Sequence, residues 1–204
     1  MATNRRKVTV VIPAKSESRT LPDLLSELRS RFRDFRILVV DDGSGDDTAA
    51  ICWKYKAEVI SMPYSVGNGG AIKAGVRQVT TDILVLMDGD GQHSPADIPK
   101  LLDRLDAGYD MAVGARGFES QASVARAMAN ATYNRLAGWI VGRHVPDLTS
   151  GFRTVRTEKF RQFLYLLPNG FSYPATITMA FFRSGYSIAY VPTQAVPPRQ
   201  EMYQ

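Results

Sequence analysis

The stretch 84–95 reads LVLMDGDGQHSP. Together with Ile83, its apolar half runs directly into Asp88 and Asp90, which one glycine separates. A short, continuous apolar run predicts a strand buried on both faces, as in a parallel sheet covered by helices. Ser94 suits a helix N-cap and Pro95 the first helical position. Two carboxylates held together repel unless a cation lies between them. A hard divalent ion, Mg²⁺ or Mn²⁺, relieves that repulsion and keeps coordination positions for a diphosphate. Gly89 and Gly91 allow close backbone approach, and Gln92 and His93 add neutral ligands or donors. The alternative is a polar turn that only caps the following helix. It does not account for two acids directly after so apolar a strand.

Working outward, strands are predicted at Val8–Ile12, Arg36–Val40, Glu58–Ser61, Ile83–Met87 and Met111–Val113. Helices fall between them. Leu21–Phe32 carries Leu21, Leu24, Leu25 and Leu28 on one face behind a Thr20 cap, and Asp46–Tyr55, Gly70–Val79 and a helix from Pro95 through Leu105 follow. This alternation predicts βαβ units and an α/β fold with a mostly parallel central sheet flanked by helices. Ligands of such sheets bind beyond the carboxyl ends of the strands. The polar clusters Pro13–Glu17, Asp41–Asp47 and Asp88–His93 all fall there. After Gly114 the pattern changes to a long helix Ser123–Val141, a strand Phe152–Val155, helices Glu158–Leu166 and Ala175–Arg183, and a strand Ser187–Val191. Pro192–Gln204 has three prolines and no periodicity. The expectation is a single domain over 1–204, with halves 1–115 and 116–191 and an irregular tail 192–204.

At 204 residues the chain can bury one sizeable core. Its 45% hydrophobic and 22% charged residues are those of an ordinary soluble globular protein. The apolar runs fall far short of the roughly 20 residues that span a bilayer, and no signal-peptide pattern opens the chain. The single cysteine, Cys52, forms no internal disulfide, which favours a cytosolic setting and a packed core role. A net charge of +5 favours acidic partners such as phosphates or an anionic membrane surface. No dense Lys/Arg block with interleaved aromatics argues for nucleic acid. The cluster Arg29–Arg36 sits at a helix end, where cations offset the dipole.

Other strand ends carry weaker signals. In VVDDGSGDDT (39–48), Asp42 can accept hydrogen bonds from a nucleobase or ribose, while Asp41 can be structural. In VIPAKSES (10–17), Pro13 fixes the turn and Glu17 reaches the same sheet edge. SVGNGGAIKAG (65–75) opens a helix with a glycine-rich turn that either binds phosphate through backbone N–H groups or packs closely on the sheet. It is neither a Walker A loop nor G-x-G-x-x-G. Arg116, in VGARGFES (113–120), suits a diphosphate. DLTSGFR (147–153) combines an acid, two hydroxyls, a glycine turn and Arg153, which can equally pair with Asp147. An EF-hand is excluded. Its twelfth position is Pro99 counted from Asp88 and Cys52 counted from Asp41, where a Glu is required. A haloacid-dehalogenase-like phosphatase, with Asp88 as nucleophile, also has an apolar strand ending in Asp-x-Asp-Gly. There the motif sits on the first strand and precedes Thr or Val; here it lies on the fourth and precedes Gln92.

Taken in order, V-I-P-A-x-x-E at 11–17, V-V-D-D-G-S at 39–44, G-N-G-G-A at 67–71, D-G-D-G-Q-H at 88–93, V-G-A-R at 113–116, D-L-T-S-G-F-R at 147–153 and G-Y-S-I-A-Y-V-P at 185–192 resemble a family 2 glycosyltransferase of GT-A fold. Among its members they are most similar to polyprenyl-phosphate (dolichyl- or undecaprenyl-phosphate) mannose or glucose synthases. The resemblance implies an inverting transfer of a hexose from a GDP- or UDP-sugar to a polyprenyl phosphate, at the cytoplasmic face of a membrane. It implies that Pro13, Ala14, Lys15, Glu17, Val40, Asp42 and Gly69 hold the nucleotide-sugar with Asp88, Gly89, Asp90 and Arg116. It implies metal on Asp88, Asp90 and Gln92, catalysis by Asp88, Asp90 and Arg116, and an acceptor side at Asp147, Ser150, Arg153 and Arg199. Position 15, usually aromatic or Asn-like, is Lys here. Many members carry an acid where this chain has Thr176. An acceptor that is already ionised, such as a lipid phosphate with a second pKa near about 6, needs no base there. The Gly-x-Ser-Lys segment expected after the arginine is missing, which reads as a truncated C-terminus. A non-catalytic nucleotide-sugar-binding module is the remaining alternative.

Overall fold

The apolar runs become strands whose side chains alternate between two covered faces. In β1 (Val8–Ala14), Val10 and Ile12 enter one core cluster and Val11 the other. In β4 (Ile83–Leu86), Ile83 and Val85 part from Leu84 and Leu86 in the same way. The computed structural model describes the backbone of residues 7–116 and 124–193 and the side chains of 7–115 and 132–193. The remaining strands are β2 (Arg36–Asp41), β3 (Glu58–Ser61), β5 (Met111–Arg116), β6 (Arg153–Arg156) and β7 (Ile188–Thr193). The helices are α1 (Leu21–Arg31), α2 (Thr48–Lys54), α3 (Asn68–Gln78), α4 (Ile98–Asp106), α5 (Val124–Val141), α6 (Thr157–Arg161) and α7 (Tyr173–Arg183). Helices α1, α2 and α4 cover one face of the sheet; α3, α6 and α7 cover the other.

Seven strands form one sheet in the order β3-β2-β1-β4-β6-β5-β7. All run parallel except β6, which is antiparallel to both β4 and β5. The mostly parallel single α/β domain is therefore as expected. The chain builds outward from β1 through β2 to β3, then returns to place β4 on the other side of β1. That reversal opens a crevice beyond the carboxyl ends of β1 and β4, the usual ligand position of such sheets. The inverted β6 sets Arg153 opposite Leu86. The chain entering β6, residues 147–152, thus arrives at the same edge as the acidic turn leaving β4.

Local differences from the sequence reading have physical reasons. Thr20 does not cap α1, because its hydroxyl turns to Glu17 and to the Gly89 carbonyl. Asp46 and Asp47 precede α2; Asp46 Oδ1 accepts from the Thr48 amide and hydroxyl and shapes the turn. The single helix expected over Glu158–Leu166 is instead α6 followed by a 3₁₀ turn, Leu164–Leu166. Leu167 precedes Pro168 and is extended, so the helix cannot continue. Ser94 does cap the 3₁₀ turn Pro95–Asp97 that leads into α4, accepting from the Ala96 amide at 3.2 Å. Cys52 is a core residue; burial pushes its thiol up to about 11. The arginine cluster is structural. Arg36 grips Glu58, Arg31 meets Glu27, and Arg29 donates to the Phe35 and Lys56 carbonyls.

Candidate active site

Strand β4 ends at Leu86, so Asp88 and Asp90 stand in a turn rather than on extended backbone. Strand alternation is therefore not what brings them together. The turn does, and both line a cleft of about 720 Å³. Asp90 Oδ1 accepts the Gln92 amide at 2.9 Å, which fixes the turn. Asn68 Nδ2 donates to Asp88 Oδ1 at 3.3 Å. Glu17 reaches the same cleft from the end of β1. The Thr20 hydroxyl shares its proton between Glu17 Oε2 (2.6 Å) and the Gly89 carbonyl (2.8 Å), tying the β1 loop to the acidic turn. Burial holds the Glu17 carboxyl above its ordinary value despite the Thr20 contact, and the charges of Asp90, Asp46 and Asp88 add to the rise.

That accumulated negative charge is the observation that tests a metal. Glu17, Asp88 and Asp90 line one cleft, a concentration of carboxylates that a divalent cation would offset. Among the described residues no group of three or more His, Cys, Asp or Glu side chains is arranged to hold an ion. The fit is therefore to an ion held by one or two carboxylates and completed by substrate phosphates, the habit of Mg²⁺ and related ions. Asp88 and Asp90 meet that requirement, and Gln92 lines the same cleft.

Asp42, at the exit of β2, and Lys15 line the same cleft. Asp42 is nearly buried and accepts from the Val66 amide (2.6 Å), the Gly67 amide (3.0 Å) and the Ser65 hydroxyl (2.7 Å). Pro13, Ala14 and Gly89 also line the cleft. Val40 and Gly69 do not. Val40 packs in the core beneath α3, where Gly75 leaves room for it. The Gly69 and Gly70 amides donate to the Gly170 and Asn169 carbonyls, so the glycine-rich turn serves close packing rather than a phosphate cradle.

The loop before β6 forms the facing wall. Asp147 Oδ1 accepts from the Thr149 and Ser150 amides, each at 3.0 Å, and Ser150 is buried. These two residues shape the loop, while Thr149 and Gly151 face the cleft. Gly151 backs directly onto Asp88: a Cβ there would lie 2.5 Å from Asp88 Oδ2. Arg153 is wholly buried below the wall and donates to the carbonyls of Ser150 and Pro174 and to the Thr178 hydroxyl. Burial lowers its pKa, and it does not pair with Asp147 through any of these bonds. Its acceptor-side role is indirect at most. Arg116 ends β5 at this edge, with its side chain outside the described residues, as is the whole of Arg199. The sequence reading missed Ser65, Asn68, Thr149 and Gly151 as individual residues, although each stands inside a motif it had singled out. It also missed Phe171, which lines the cleft while 84% exposed. An aromatic in FSYP carries no signal that would have found it.

Comparison with known proteins identifies the family and the fold. The family model described as Glycosyl transferase family 2 matches residues 9–164. Polyprenol monophosphomannose synthase of Mycolicibacterium smegmatis is 29% identical over 202 residues, 92% of this chain and 76% of its own. Undecaprenyl-phosphate 4-deoxy-4-formamido-L-arabinose transferase of Klebsiella pneumoniae is 34% identical over 161 residues, 74% of this chain and 49% of its own. The chain thus spans about three quarters of one curated relative and about half of the other. Glucosyl-3-phosphoglycerate synthase of Mycobacterium tuberculosis, solved with Mn²⁺, UDP-glucose and phosphoglyceric acid, superposes with a TM-score of 0.77 at 22% identity, over 97% of this chain and 75% of that one. This likeness shows the fold, the GT-A arrangement. The dehalogenase-type reading of Asp-x-Asp-Gly gives way, because the matched segment runs from β1 past the acidic turn and the loop before β6. On that match, which covers well over half its length, the chain belongs to the glycosyl transferase family 2.

Proposed function

We propose that the protein transfers a hexose from a GDP- or UDP-sugar to a polyprenyl phosphate, with inversion at the anomeric carbon. The observation that carries this reading is the shared cleft, which Asp88, Asp90, Lys15, Asp42, Thr149 and Gly151 all line. The names of the M. smegmatis and K. pneumoniae relatives support the lipid acceptor. Asp88 and Asp90 orient the donor diphosphate, with Asn68 steadying Asp88. A bound Mg²⁺ or Mn²⁺ supplies Lewis-acid neutralisation of charge on the departing diphosphate. Arg116, at the end of β5, adds electrostatic support. The acceptor oxygen attacks the anomeric carbon from the face opposite the diphosphate; the new C–O bond forms as the bond to the diphosphate oxygen breaks. A phosphomonoester, with its second pKa near about 6, arrives ionised and gives up no proton. Thr176 accords with this: its hydroxyl donates to the Ser172 carbonyl of its own helix turn at 3.3 Å.

Asp147, Ser150 and Arg153 serve the acceptor side by shaping the wall. Among the described residues no helix is long and apolar enough to cross a membrane. Helix α5 exposes Tyr133, Leu136, Trp139 and Ile140. With the basic balance of the chain, that face supports docking on the anionic cytoplasmic surface of a membrane. A second acceptor class, a water-soluble phosphorylated acid, is favoured by the phosphoglyceric acid with which the M. tuberculosis synthase was solved.

The test is incubation with several sugar nucleotides, Mg²⁺ or Mn²⁺, and either polyprenyl phosphate or phosphoglyceric acid, followed by mass spectrometry. The expected product is a sugar-phospholipid, reduced about 100-fold or more in Asp90→Asn, by the loss of charge neutralisation. Full activity in Asp90→Asn sinks the metal assignment. A sugar-phosphoglycerate product moves the acceptor to the second class. Donor binding without turnover of either acceptor points to a binding module.

A further inference from the structure

The loop before β6 and the acidic turn meet at one buried ring. Phe152 is fully buried, in the core cluster that also holds Met87, Ala112 and Val191. Its ring stacks on that of His93, with centroids 5.0 Å apart and planes 24° from parallel. His93 ends the DGDGQH segment, is 6% exposed and lines the cleft. Phe152 also meets β5. Its carbonyl accepts the Gly114 amide at 2.9 Å, and a Cβ on Gly114 would lie 2.7 Å from Phe152 Cδ1. Thr193 Cγ2 would lie 3.1 Å from the same Cβ, so an added methyl finds little room. Gly114 stands two residues before Arg116, the last residue of the same strand. The ring thus fills the space between the acidic turn and β5. Close-packed interiors compress little and transmit strain, so such a ring acts as a spacer of fixed width.

We infer that Phe152 is a positioning residue: it sets the spacing between the Asp88–Asp90 turn and the end of β5, and so aligns the two on one diphosphate. This rests on the proposal that the donor diphosphate lies at the acidic turn with Arg116 in support. Phe152 does not line the cleft, so it acts through His93 on the turn and through Gly114 on β5. The departing diphosphate gains negative charge as the bond to the anomeric carbon breaks. Groups that meet this charge from two strand ends contribute fully only at the right spacing, and their contribution grows toward the transition state. Gly114 is the complementary half of the spacer. Ring and backbone touch there because residue 114 has no Cβ. A side chain at that position drives Phe152 against His93, or β5 away from the turn.

The experiment compares the wild-type chain, Gly114→Ala, Phe152→Leu and the double variant. UDP and GDP are titrated calorimetrically in Mn²⁺ and in chelator, kcat and donor KM are measured with polyprenyl phosphate, and thermal melting verifies folding. In Mn²⁺, Gly114→Ala is expected to weaken the diphosphate that the wild type binds about tenfold, as misplacement of aligned groups by less than 1 Å does. In chelator the loss is expected to be much smaller. kcat is expected to fall further than KM rises, because the aligned groups act most on the developed charge. Phe152→Leu loses the stack but keeps an apolar side chain, and is expected to weaken binding less. In the double variant leucine yields to the new methyl, so affinity rises above that of Gly114→Ala alone. Independent damage at two sites adds instead. Wild-type affinity in Gly114→Ala, additive losses in the double variant, or equal losses with and without metal overturn the inference and leave the nucleotide-sugar reading standing. If Gly114→Ala does not fold, Phe152→Leu decides: a loss confined to Mn²⁺ supports the spacer, and an equal loss in chelator, or none, overturns it. A wild-type chain that binds neither diphosphate in Mn²⁺ overturns both readings.

Discussion

Gly151 sets a close tolerance in the cleft wall, because a Cβ there would lie 2.5 Å from Asp88 Oδ2. Gly151→Ala must push Asp88 aside. Nucleoside diphosphate affinity measured by calorimetry in Mn²⁺ is expected to fall about tenfold or more, since even small displacements of an aligned group are costly. Affinity in chelator is expected to change little; an equal loss in both conditions refutes the link to the acidic turn. Glu17 makes a second prediction. Its folded pKa lies above the 4.5 of the free side chain, chiefly through burial and then through the Asp90, Asp46 and Asp88 charges. A raised folded pKa contributes stability that is fully present below the unfolded value and is lost as pH rises through the folded one. Glu17→Gln is therefore expected to melt higher than the wild type at pH 7 in metal-free buffer, and at the same temperature near pH 4. Coincident melting at both pH values contradicts this. Asp88 and Asp90 were legible because two acids after so apolar a strand break the local pattern. Gly151 was not, because its constraint comes from a carboxylate far away in the chain.

At the scale of elements, Arg153 joins β6 to α7. Its guanidinium spans from the Ser150 carbonyl to Pro174 and Thr178 in the first turns of α7. Arg153→Met leaves these buried oxygens short of a donor, and each such loss costs about 1–3 kcal/mol. The urea midpoint is expected to drop by an amount matching about 2–4 kcal/mol in total, with the slope unchanged. A midpoint within error of the wild type removes the staple. The sequence correctly placed a strand at this point. Its antiparallel direction was not legible, because RTVR, with β-branched Thr154 and Val155 between two arginines, suits either orientation, and direction is decided by which neighbours it pairs with. The same blindness made Arg153 look like a ligand residue. An arginine after Ser-Gly-Phe has the composition of a binding motif, and only the sheet register puts it beneath the wall. The α3 turn shows the reverse case. Close packing and phosphate binding both call for glycine, and the Pro168–Gly170 carbonyls decided between them.

For the whole molecule, the exposed face of α5 is the feature with reach beyond the cleft. Trp139 is 82% exposed and Leu136 52%. Trp139→Glu is expected to lower cosedimentation with anionic phospholipid vesicles severalfold, on the order of the loss of one large apolar anchor. Its melting temperature is expected to stay within about 1 °C of the wild type, because surface changes seldom exceed about 0.5 kcal/mol. Unchanged vesicle binding removes α5 from any docking surface. The inverted strand also orders events in time. β1, β2, β3 and β4 draw only on residues up to 86, whereas β5 joins β4 solely through β6, whose residues 153–156 come much later. The ribosome thus delivers β1 to β4 before the strand that bridges to the rest exists. Pulse-labelled hydrogen exchange during refolding is expected to protect β1 and β2 amides ahead of those in β5 and β7, since long-range pairings close last. Until residue 156 emerges, the far side of β4 is an open edge, a vulnerable interval in which the nascent chain is exposed to pairing with the wrong strand.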